Sequence, residues 1–297
     1  MSNEKKLINQ ESMIKMAAVQ FDPRLGQKDA NVKKSLELIK EAAGKGANLI
    51  VLPEMANTSY IFDTREECFS VCEKIPEGPT TKAWMKAAKE LNVYICAGIG
   101  EVDNGKLYNS AVLIGPEGYI GTHRKMHLWE DDKVFFEPGD LGFQVFQTPI
   151  GRISMIICFD MWYPECFRIL SLMGADIVCC PTNWIDLSAE GDPHELQTVG
   201  PELCRVNAGI NNIFIVAADR IGVERETKFP GKSCIVGTNG WFMAGPASYG
   251  DEEILYAEAN LMEARRLNWN KMNVVHRDRR TDLYDEMLGS GMPKMPR

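Results

Sequence analysis

The sequence predicts an α/β fold, in which buried strands alternate with amphipathic helices. Its clearest strand, Ile153–Ile157, is a continuous apolar run in which only Ser154 is polar. Such runs are typical of strands that are covered on both faces. The segments 36–54 and 167–184 also resemble each other, since each has a helix, a Gly-Ala pair, a short apolar strand and a proline. This internal similarity suggests that the fold consists of two halves built alike.

The composition is that of a soluble globular protein. The chain has 297 residues, of which 45% are hydrophobic and 25% charged, an ordinary balance for a folded domain. A net charge of -8 disfavours nucleic acid and anionic membranes as main partners. Residues 1–10 are polar, unlike a signal peptide, and no apolar run is long enough to span a membrane. We predict one domain over 1–297, with a polar extension at 1–13 and a charged tail at 275–297.

The cysteines indicate the compartment. There are nine, an odd number, and several lie inside apolar runs, as Cys179 and Cys180 do. This favours a reducing cytoplasm over a disulfide framework.

The first half of the chain alternates helices with strands. Apolar residues recur at helical spacing from Asp29 to Ala43, and Gly44 and Gly46 end that helix. The pair Asn104-Gly105 is a strong hairpin signal. The predicted elements are a strand at 14–21, a helix at 29–43, a strand at 49–52, a helix at 79–91, and strands at 93–100, 107–114 and 119–124.

The second half begins with the stretch 152–165, which predicts a strand, a turn and a helix. Pro164 suits the first turn of that helix, and the turn before it carries Cys158. The carboxyl end of a strand is where open α/β sheets bind their ligands. The later predictions are an apolar strand before Pro181, a helix at 193–207, strands at 213–218, 234–237 and 254–259, and a short helix at 261–267.

Three reactive side chains each follow an apolar run. They are Glu54, Lys125 and Cys158. A thiol needs a base at neutral pH, and a carboxylate can serve if burial raises its pKa. A lysine can stabilise an oxyanion. Each residue alone has an ordinary structural explanation, as a helix cap, a surface charge or an inert buried cysteine. The three are informative only as a set.

The sequence gives no convincing metal site. His123 and His127 bracket Lys125 but lack the glutamate of a zinc-protease motif. Cys68 and Cys72 lie four residues apart with no matching pair of ligands nearby. We therefore predict no bound metal.

The set of reactive residues resembles the nitrilase superfamily of carbon–nitrogen hydrolases. The resemblance extends over about residues 14–283. It implies an αββα sandwich that dimerises into an αββααββα core, a Glu-Lys-Cys triad, and no metal or organic cofactor. The matching stretches are VLPE (51–54), NSAVLIGPEGYIG (109–121), GYIGTHRKMHL (118–128), KVFFEPGDLGFQVF (133–146), MIICFDMWYPE (155–165) and VAADRIGVE (216–224).

The resemblance also implies roles for individual residues. Glu54 is expected to be the general base and acid, and Cys158 to form a thioester. Lys125 is expected to position the substrate and stabilise the oxyanion, together with the backbone N–H of Phe159. Many members have a second glutamate a few residues after the lysine. Here the matching residue is Asp132, which is one methylene shorter, and Glu130 lies close enough to substitute for it.

The substrate pocket is predicted from the same resemblance. Tyr60 matches a pocket tyrosine, and Asn183 and Trp184 match a wall segment. Carbamoylases for amino acids often have arginines where Met161 and Trp162 stand. Without that carboxylate clamp, an apolar wall is expected.

The predicted substrate is a small amide. An N-carbamoyl amine and a nitrile are the second and third alternatives. A thiol redox protein and an inactive scaffold of the same fold remain open as other classes. We expect a homodimer or larger assembly, with the charged tail at 275–297 ordered across the interface.

Overall fold

The structure of the chain, a computed structural model, describes residues 13–187, 198–268 and 270–288, without the side chains of 285–288. The α-helices in these residues are α1 (Lys28–Gly44), α2 (Arg65–Val71), α3 (Pro79–Leu91), α4 (Asp132–Phe135), α5 (Pro164–Leu172), α6 (Gly200–Asn211) and α7 (Thr281–Leu288). Short 3-10 helices lie at Cys158–Trp162 and Leu261–Glu263.

The strands alternate with these helices along the chain. They are β1 (Met13–Gln20), β2 (Leu49–Val51), β3 (Tyr94–Asp103), β4 (Lys106–Gly115), β5 (Gly118–Arg124), β6 (Phe146–Thr148), β7 (Gly151–Met155), β8 (Ile177–Thr182), β9 (Phe214–Asp219), β10 (Ile221–Glu224), β11 (Thr227–Pro230), β12 (Cys234–Val236), β13 (Phe242–Ala244) and β14 (Glu253–Asn260).

Twelve of these strands form two six-stranded sheets with the same plan. The first has the order β14-β1-β2-β3-β4-β5 and the second the order β13-β12-β9-β8-β7-β6. In each sheet three neighbouring strands run parallel and the outer strands pair antiparallel. The α1–β2 and α5–β8 units occupy equivalent places, which confirms the predicted similarity of the two halves. Strands β10 and β11 form a separate hairpin.

The two sheets pack face to face, with helices on the outer faces. The apolar cluster between the sheets includes Val51 of β2 and Ile153 of β7. On the outside of the first sheet, Trp84 of α3 packs in a second cluster. Phe167 of α5 and Cys204 of α6 pack against the second sheet in a third. The layers are therefore helix, sheet, sheet and helix, which confirms the predicted αββα sandwich.

Some predicted elements differ from the observed ones. The helix expected at 193–207 is α6, which starts at Gly200, and residues 193–197 lie outside the described ones. The helix expected at 261–267 is only one turn of 3-10 helix. The hairpin of β10 and β11, and the short α2, α4, β6 and β13, were not predicted. Elements of three to seven residues are too short to show a reliable periodicity.

The described chain divides into two compact units, one up to Arg265 and one from Arg266 onward. In the second unit, the backbone N–H of Val274 donates to Asp278 Oδ2 at 2.8 Å, and α7 follows. Of the predicted N-terminal extension, only Met13 lies in the described residues, where it begins β1. The single domain over 1–297 stays a prediction. No helix in the described residues is long and apolar enough to cross a membrane.

Candidate active site

Strand ends from both sheets meet at one edge of the sandwich. β2 and β3 run parallel, and β5 runs in the same direction because the antiparallel β4 lies between β3 and β5. The second sheet reaches this edge through β8, since the backbone N–H of Glu54 donates to the carbonyl of Thr182 at 3.3 Å. Residues that follow β2, β5, β7 and β8 are therefore brought together here.

A buried lysine with two carboxylates lies at this edge. Lys125, which follows β5, is 1% exposed. Its Nζ lies 2.8 Å from Glu54 Oε1 and 2.6 Å from Asp132 Oδ2. Asp132 Oδ2 also accepts the backbone N–H of Trp129 at 3.2 Å, so the loop folds back and brings the shorter carboxylate within reach. Glu130 is exposed on the same loop.

Asn109 of β4 completes this cluster. Its side-chain Nδ2 donates to Glu54 Oε1 at 2.6 Å. Its backbone carbonyl accepts the backbone N–H of Lys125 at 2.8 Å. Both hydrogen bonds to Glu54 fall on Oε1. Its other oxygen, Oε2, is buried without a hydrogen-bond partner among the residues that the structure describes. Glu54 is thus held firmly through one oxygen, and the second is left available.

Burial and charge set the protonation of this cluster. Burial raises the pKa of Glu54 above that of an ordinary carboxyl group, against the opposing charge of Lys125, and the charge of Asp132 adds to the rise. Burial alone would lower the pKa of Lys125, but Asp132 and Glu54 raise it well above the usual value. The lysine therefore stays charged.

Cys158 lies three residues beyond β7, in the first position of a 3-10 helix. Its φ of +40° is in the left-handed region, which is uncommon for a residue other than glycine. Burial, and the charge of Glu54, raise the pKa of this thiol well above its ordinary value, while Lys125 and the backbone N–H of Asn183 act in the opposite direction. The thiol is therefore protonated and needs a base to become a nucleophile.

Asp160 connects the cysteine turn to the strand end that carries the lysine. Its carboxylate lies 3.0 Å from His123 Nε2 and 2.8 Å from His127 Nδ1. It also accepts the backbone N–H groups of His127 and Ile157, at 3.0 and 3.1 Å. Burial alone would raise the pKa of Asp160, but the hydrogen bonds from the two histidines hold it below its usual range. The two histidines that bracket Lys125 therefore have a structural partner.

A cavity that is partly open to solvent contains Cys158. Aromatic rings dominate its wall. With three residues per turn of 3-10 helix, Phe159 and Trp162 share one face and both line the cavity. The described lining residues are Tyr60, Trp129, Cys158, Phe159, Trp162, Asn183, Trp184, Ile185, Leu187, Thr198, Val199 and Gly200.

Met161 does not belong to this wall, contrary to the sequence-based expectation. It is absent from the described lining residues. Its side chain is fully buried and packs in the cluster between α5, α6 and the second sheet. It lies on a different face of the 3-10 helix from Phe159 and Trp162, so it points into the core. The other five predicted pocket residues do line the cavity.

A second, more polar cavity adjoins the first. Both are lined by Tyr60, Trp129 and Ile185. The second cavity also contains Asp132 and the exposed Glu130 and Asp131. Glu130 therefore lines the second, acidic cavity and not the cavity that contains Cys158.

Sequence reasoning missed Asn109, Trp129 and Asp160. Asn109 is a buried amide in a predicted strand, which is a usable signal, because a buried amide needs a partner. Trp129 follows the motif that contains Lys125, but the neighbouring sequence does not indicate that this side chain lines the cavity. Asp160 follows the cysteine by two residues, and its four donors come from two separate segments. Only the packing of those segments reveals its place.

Comparison with known proteins identifies the family. Residues 15–268 match the family described as carbon-nitrogen hydrolase. A protein named nitrilase from Pyrococcus abyssi is 43% identical over 272 residues, covering 92% of this chain and 99% of that protein. An N-carbamoylputrescine amidase from Oryza sativa subsp. japonica is 34% identical, covering 93% and 95% of the two chains.

A solved structure of a carbon-nitrogen hydrolase has the same fold. The carbon-nitrogen hydrolase from Helicobacter pylori G27 superposes with a TM-score of 0.83 and 30% identity, covering 94% of this chain and 99% of that one. The sequence match, the relatives and the shared sandwich together show that this chain belongs to the carbon–nitrogen hydrolase family, the nitrilase superfamily, and is a hydrolase of the nitrilase and amidase type.

Proposed function

We propose that the protein hydrolyses a small amide through a thioester on Cys158, with Glu54 as general base and acid and Lys125 at the oxyanion. The observation that carries this proposal is the orientation of Glu54. One oxygen is fixed by Lys125 and Asn109, and Oε2 is buried without a partner among the described residues. The charge of Glu54 acts on the Cys158 thiol, and a carboxylate with one unpartnered oxygen fits a general base for that thiol.

The first half of the reaction forms the thioester. Glu54 Oε2 takes the proton of the Cys158 thiol as the sulfur attacks the carbonyl carbon. The oxyanion is stabilised by Lys125 Nζ and by the backbone N–H of Phe159. The C–N bond then breaks, and the proton on Glu54 passes to the leaving nitrogen, which departs as ammonia.

The second half hydrolyses the thioester. Glu54 takes a proton from a water molecule, and the hydroxide attacks the thioester carbon. The C–S bond breaks, the sulfur recovers the proton, and a carboxylic acid leaves. Asp132 stays on Lys125 throughout and helps to keep it charged.

The wall of the cavity supports a small, uncharged acyl group. Its surfaces are mainly the rings of Phe159, Trp162, Trp184 and Tyr60. Position 161, where carbamoylases for amino acids often carry an arginine, holds a methionine that faces the core. We therefore rank a small aliphatic or aromatic amide first.

An N-carbamoyl amine is the second candidate. The adjoining cavity contains the exposed carboxylates of Glu130 and Asp131, which suit a cationic amine tail. The rice relative is named for such a substrate. A nitrile is third, and the Pyrococcus relative is named nitrilase.

A panel of amides, N-carbamoyl amines and nitriles, with ammonia and carbon dioxide both measured, tests these proposals. Ammonia without carbon dioxide from an amide is the expected result. Carbon dioxide with ammonia would move the assignment to the N-carbamoyl amine. No turnover of any compound would contradict the proposed hydrolysis and favour an inactive scaffold.

We also propose a cytoplasmic homodimer that needs no cofactor. All nine cysteines lie in described residues and are free thiols, which suits a reducing compartment. Three exposed apolar side chains support the assembly. Val206 and Ile210 lie one turn apart on α6 and are 58% and 43% exposed. Trp241, whose ring lies 4.8 Å from the guanidinium of Arg205 on the same helix, is 65% exposed.

A further inference from the structure

The hairpin of β10 and β11 contains a buried ion pair that the proposed chemistry does not use. Arg220, just before β10, is 1% exposed, and Glu224 at the end of β10 is 5% exposed. Arg220 Nη1 donates to Glu224 Oε2. A buried ion pair is often no better for stability than apolar residues of the same size, so stability alone does not account for this pair.

Glu224 holds three consecutive residues of the segment after β2. Its Oε1 accepts the backbone N–H of Tyr60 at 3.0 Å and that of Ile61. Its Oε2 accepts the hydroxyl of Ser59. The φ of Ser59 is +69°, a conformation that needs support from the surroundings. One carboxylate therefore fixes the backbone from which the Tyr60 ring projects.

Arg220 is in turn fixed on several sides. Its Nη1 donates to Ser59 Oγ at 2.5 Å. Its Nη2 donates to Asp22 Oδ1 at 3.1 Å and to the carbonyl of Pro23 at 3.0 Å. Its guanidinium lies 4.1 Å from the centroid of the Phe229 ring. The pair is thus anchored to the segment that follows β1 as well as to its own hairpin.

Tyr60 is the residue that this arrangement presents to the site. The same hairpin contacts its ring, since the centroids of Tyr60 and Phe229 lie 6.5 Å apart in an edge-on arrangement. The centroid of the Tyr60 ring also lies 5.5 Å from Lys125 Nζ. Tyr60 lines both cavities. A shift of this ring would alter the acyl cavity, the acidic cavity and the surroundings of Lys125 together.

We infer that Arg220 and Glu224 are positioning residues that hold Tyr60 between the two cavities. This inference rests on the proposed function, in which Tyr60 is part of the substrate wall. It assigns a role to the stretch 216–224, which the sequence singled out and the reaction itself does not use. Small displacements of positioning groups can cost up to about 10²-fold in rate. We therefore expect substitutions of this pair to lower the reaction rate as well as the stability.

Glu224→Gln is the variant that tests the inference. The carboxylate accepts donors on both oxygens, from the Tyr60 and Ile61 backbone on one and from Ser59 and Arg220 on the other. The amide group of glutamine must turn its NH2 toward one set of donors, so the segment has to move. The variant is combined with Tyr60→Ala in a double-mutant cycle.

Two readouts are taken from the cycle. One is kcat/KM for the best substrate of the panel. The other is the rate constant for alkylation of Cys158 by iodoacetamide, assigned by peptide mass spectrometry, which needs no turnover. If Glu224 acts through Tyr60, Glu224→Gln lowers kcat/KM by about 10-fold or more, and the double variant equals Tyr60→Ala alone. The alkylation rates should show the same loss of additivity.

Asp176→Asn is the matched control. Asp176 is a fully buried carboxylate that pairs with Arg152 and Arg265, and none of the three lines either cavity among the described residues. It should lower Tm and leave kcat/KM near wild type. If Glu224→Gln behaves like this control, or if the single effects multiply in the double variant, the inference is overturned.

Two further outcomes remain decisive. Should Glu224→Gln fail to fold, Arg220→Lys enters the same cycle, because lysine cannot reproduce the forked contacts of the guanidinium. Should no compound in the panel be turned over, the proposed function fails, and the alkylation cycle still decides whether Glu224 acts through Tyr60.

Discussion

Asp132 Oδ2 lies 2.6 Å from Lys125 Nζ, slightly closer than Glu54 Oε1 at 2.8 Å. The shorter side chain therefore reaches the lysine without help from its neighbour Glu130. Asp132 begins α4, and the backbone N–H of Trp129 points back to the same oxygen. The lysine is thus shared by two buried carboxylates, and the charges of both raise the pKa of Lys125.

Replacing Asp132 by Asn should lower kcat by roughly 10²-fold, the size typical of a positioned acid–base group. An amide has no charge with which to support Lys125 in the transition state, so kcat should fall more than KM changes. Glu130→Gln is the control and should stay near wild type. The reverse order of the two variants would transfer the role to Glu130.

The same variant should also move the pH profile. The base form of Glu54 is required, and its pKa is raised by burial and by the charge of Asp132. Activity should therefore fall on the acid side at a pH above the usual carboxyl range. Without the Asp132 charge, the pKa of Glu54 should drop and the acid limb of kcat/KM should shift to lower pH. An acid limb that stays in place, or moves upward, would contradict this electrostatic account.

Asn109→Ala should shift the acid limb in the opposite direction. The hydrogen bond from Asn109 favours the charged carboxylate and lowers the pKa of Glu54, so its loss should raise that pKa. We expect lower kcat and an acid limb at higher pH, measured as kcat/KM against pH. Asn211→Ala removes another fully buried asparagine, on α6, and should not move the limb. A downward shift in Asn109→Ala would show that this hydrogen bond does not act on Glu54.

Cys158→Ala should abolish turnover and leave the fold intact. Intact-mass analysis of the wild type with substrate should show an acyl adduct, which the variant should lack. Cys166→Ala is the matched control, because Cys166 is buried in the core near the start of α5. It should retain activity, whereas a redox mechanism that uses both thiols would require it. Wild-type turnover by Cys158→Ala would rule out this nucleophile.

A homodimer or larger assembly should be seen by light scattering at micromolar concentration. Val206→Arg places a charge in the exposed apolar patch of Val206, Ile210 and Trp241 and should weaken the assembly. Phe69→Arg, at an apolar residue of α2 that is 53% exposed, is the control. A monomeric wild type would contradict the proposed assembly, and equal effects of both variants would place the interface elsewhere.

The sequence by itself determined the α/β class and the positions of Glu54, Lys125 and Cys158 at the ends of strands. Strand ends can be read locally, because an apolar run and the polar residue that follows it are neighbours in the chain. The similarity of 36–54 and 167–184 likewise predicted two halves built alike.

Only the tertiary structure decided which side chains meet. Asn109 binds a carboxylate 55 residues away, and Glu224 holds a segment more than 160 residues away. The loop after Lys125 places Asp132 on the lysine and leaves Glu130 in solvent, and a short 3-10 helix directs Met161 into the core. Such contacts depend on the path of loops and on the packing of two sheets, and neither has a periodic signature in the chain.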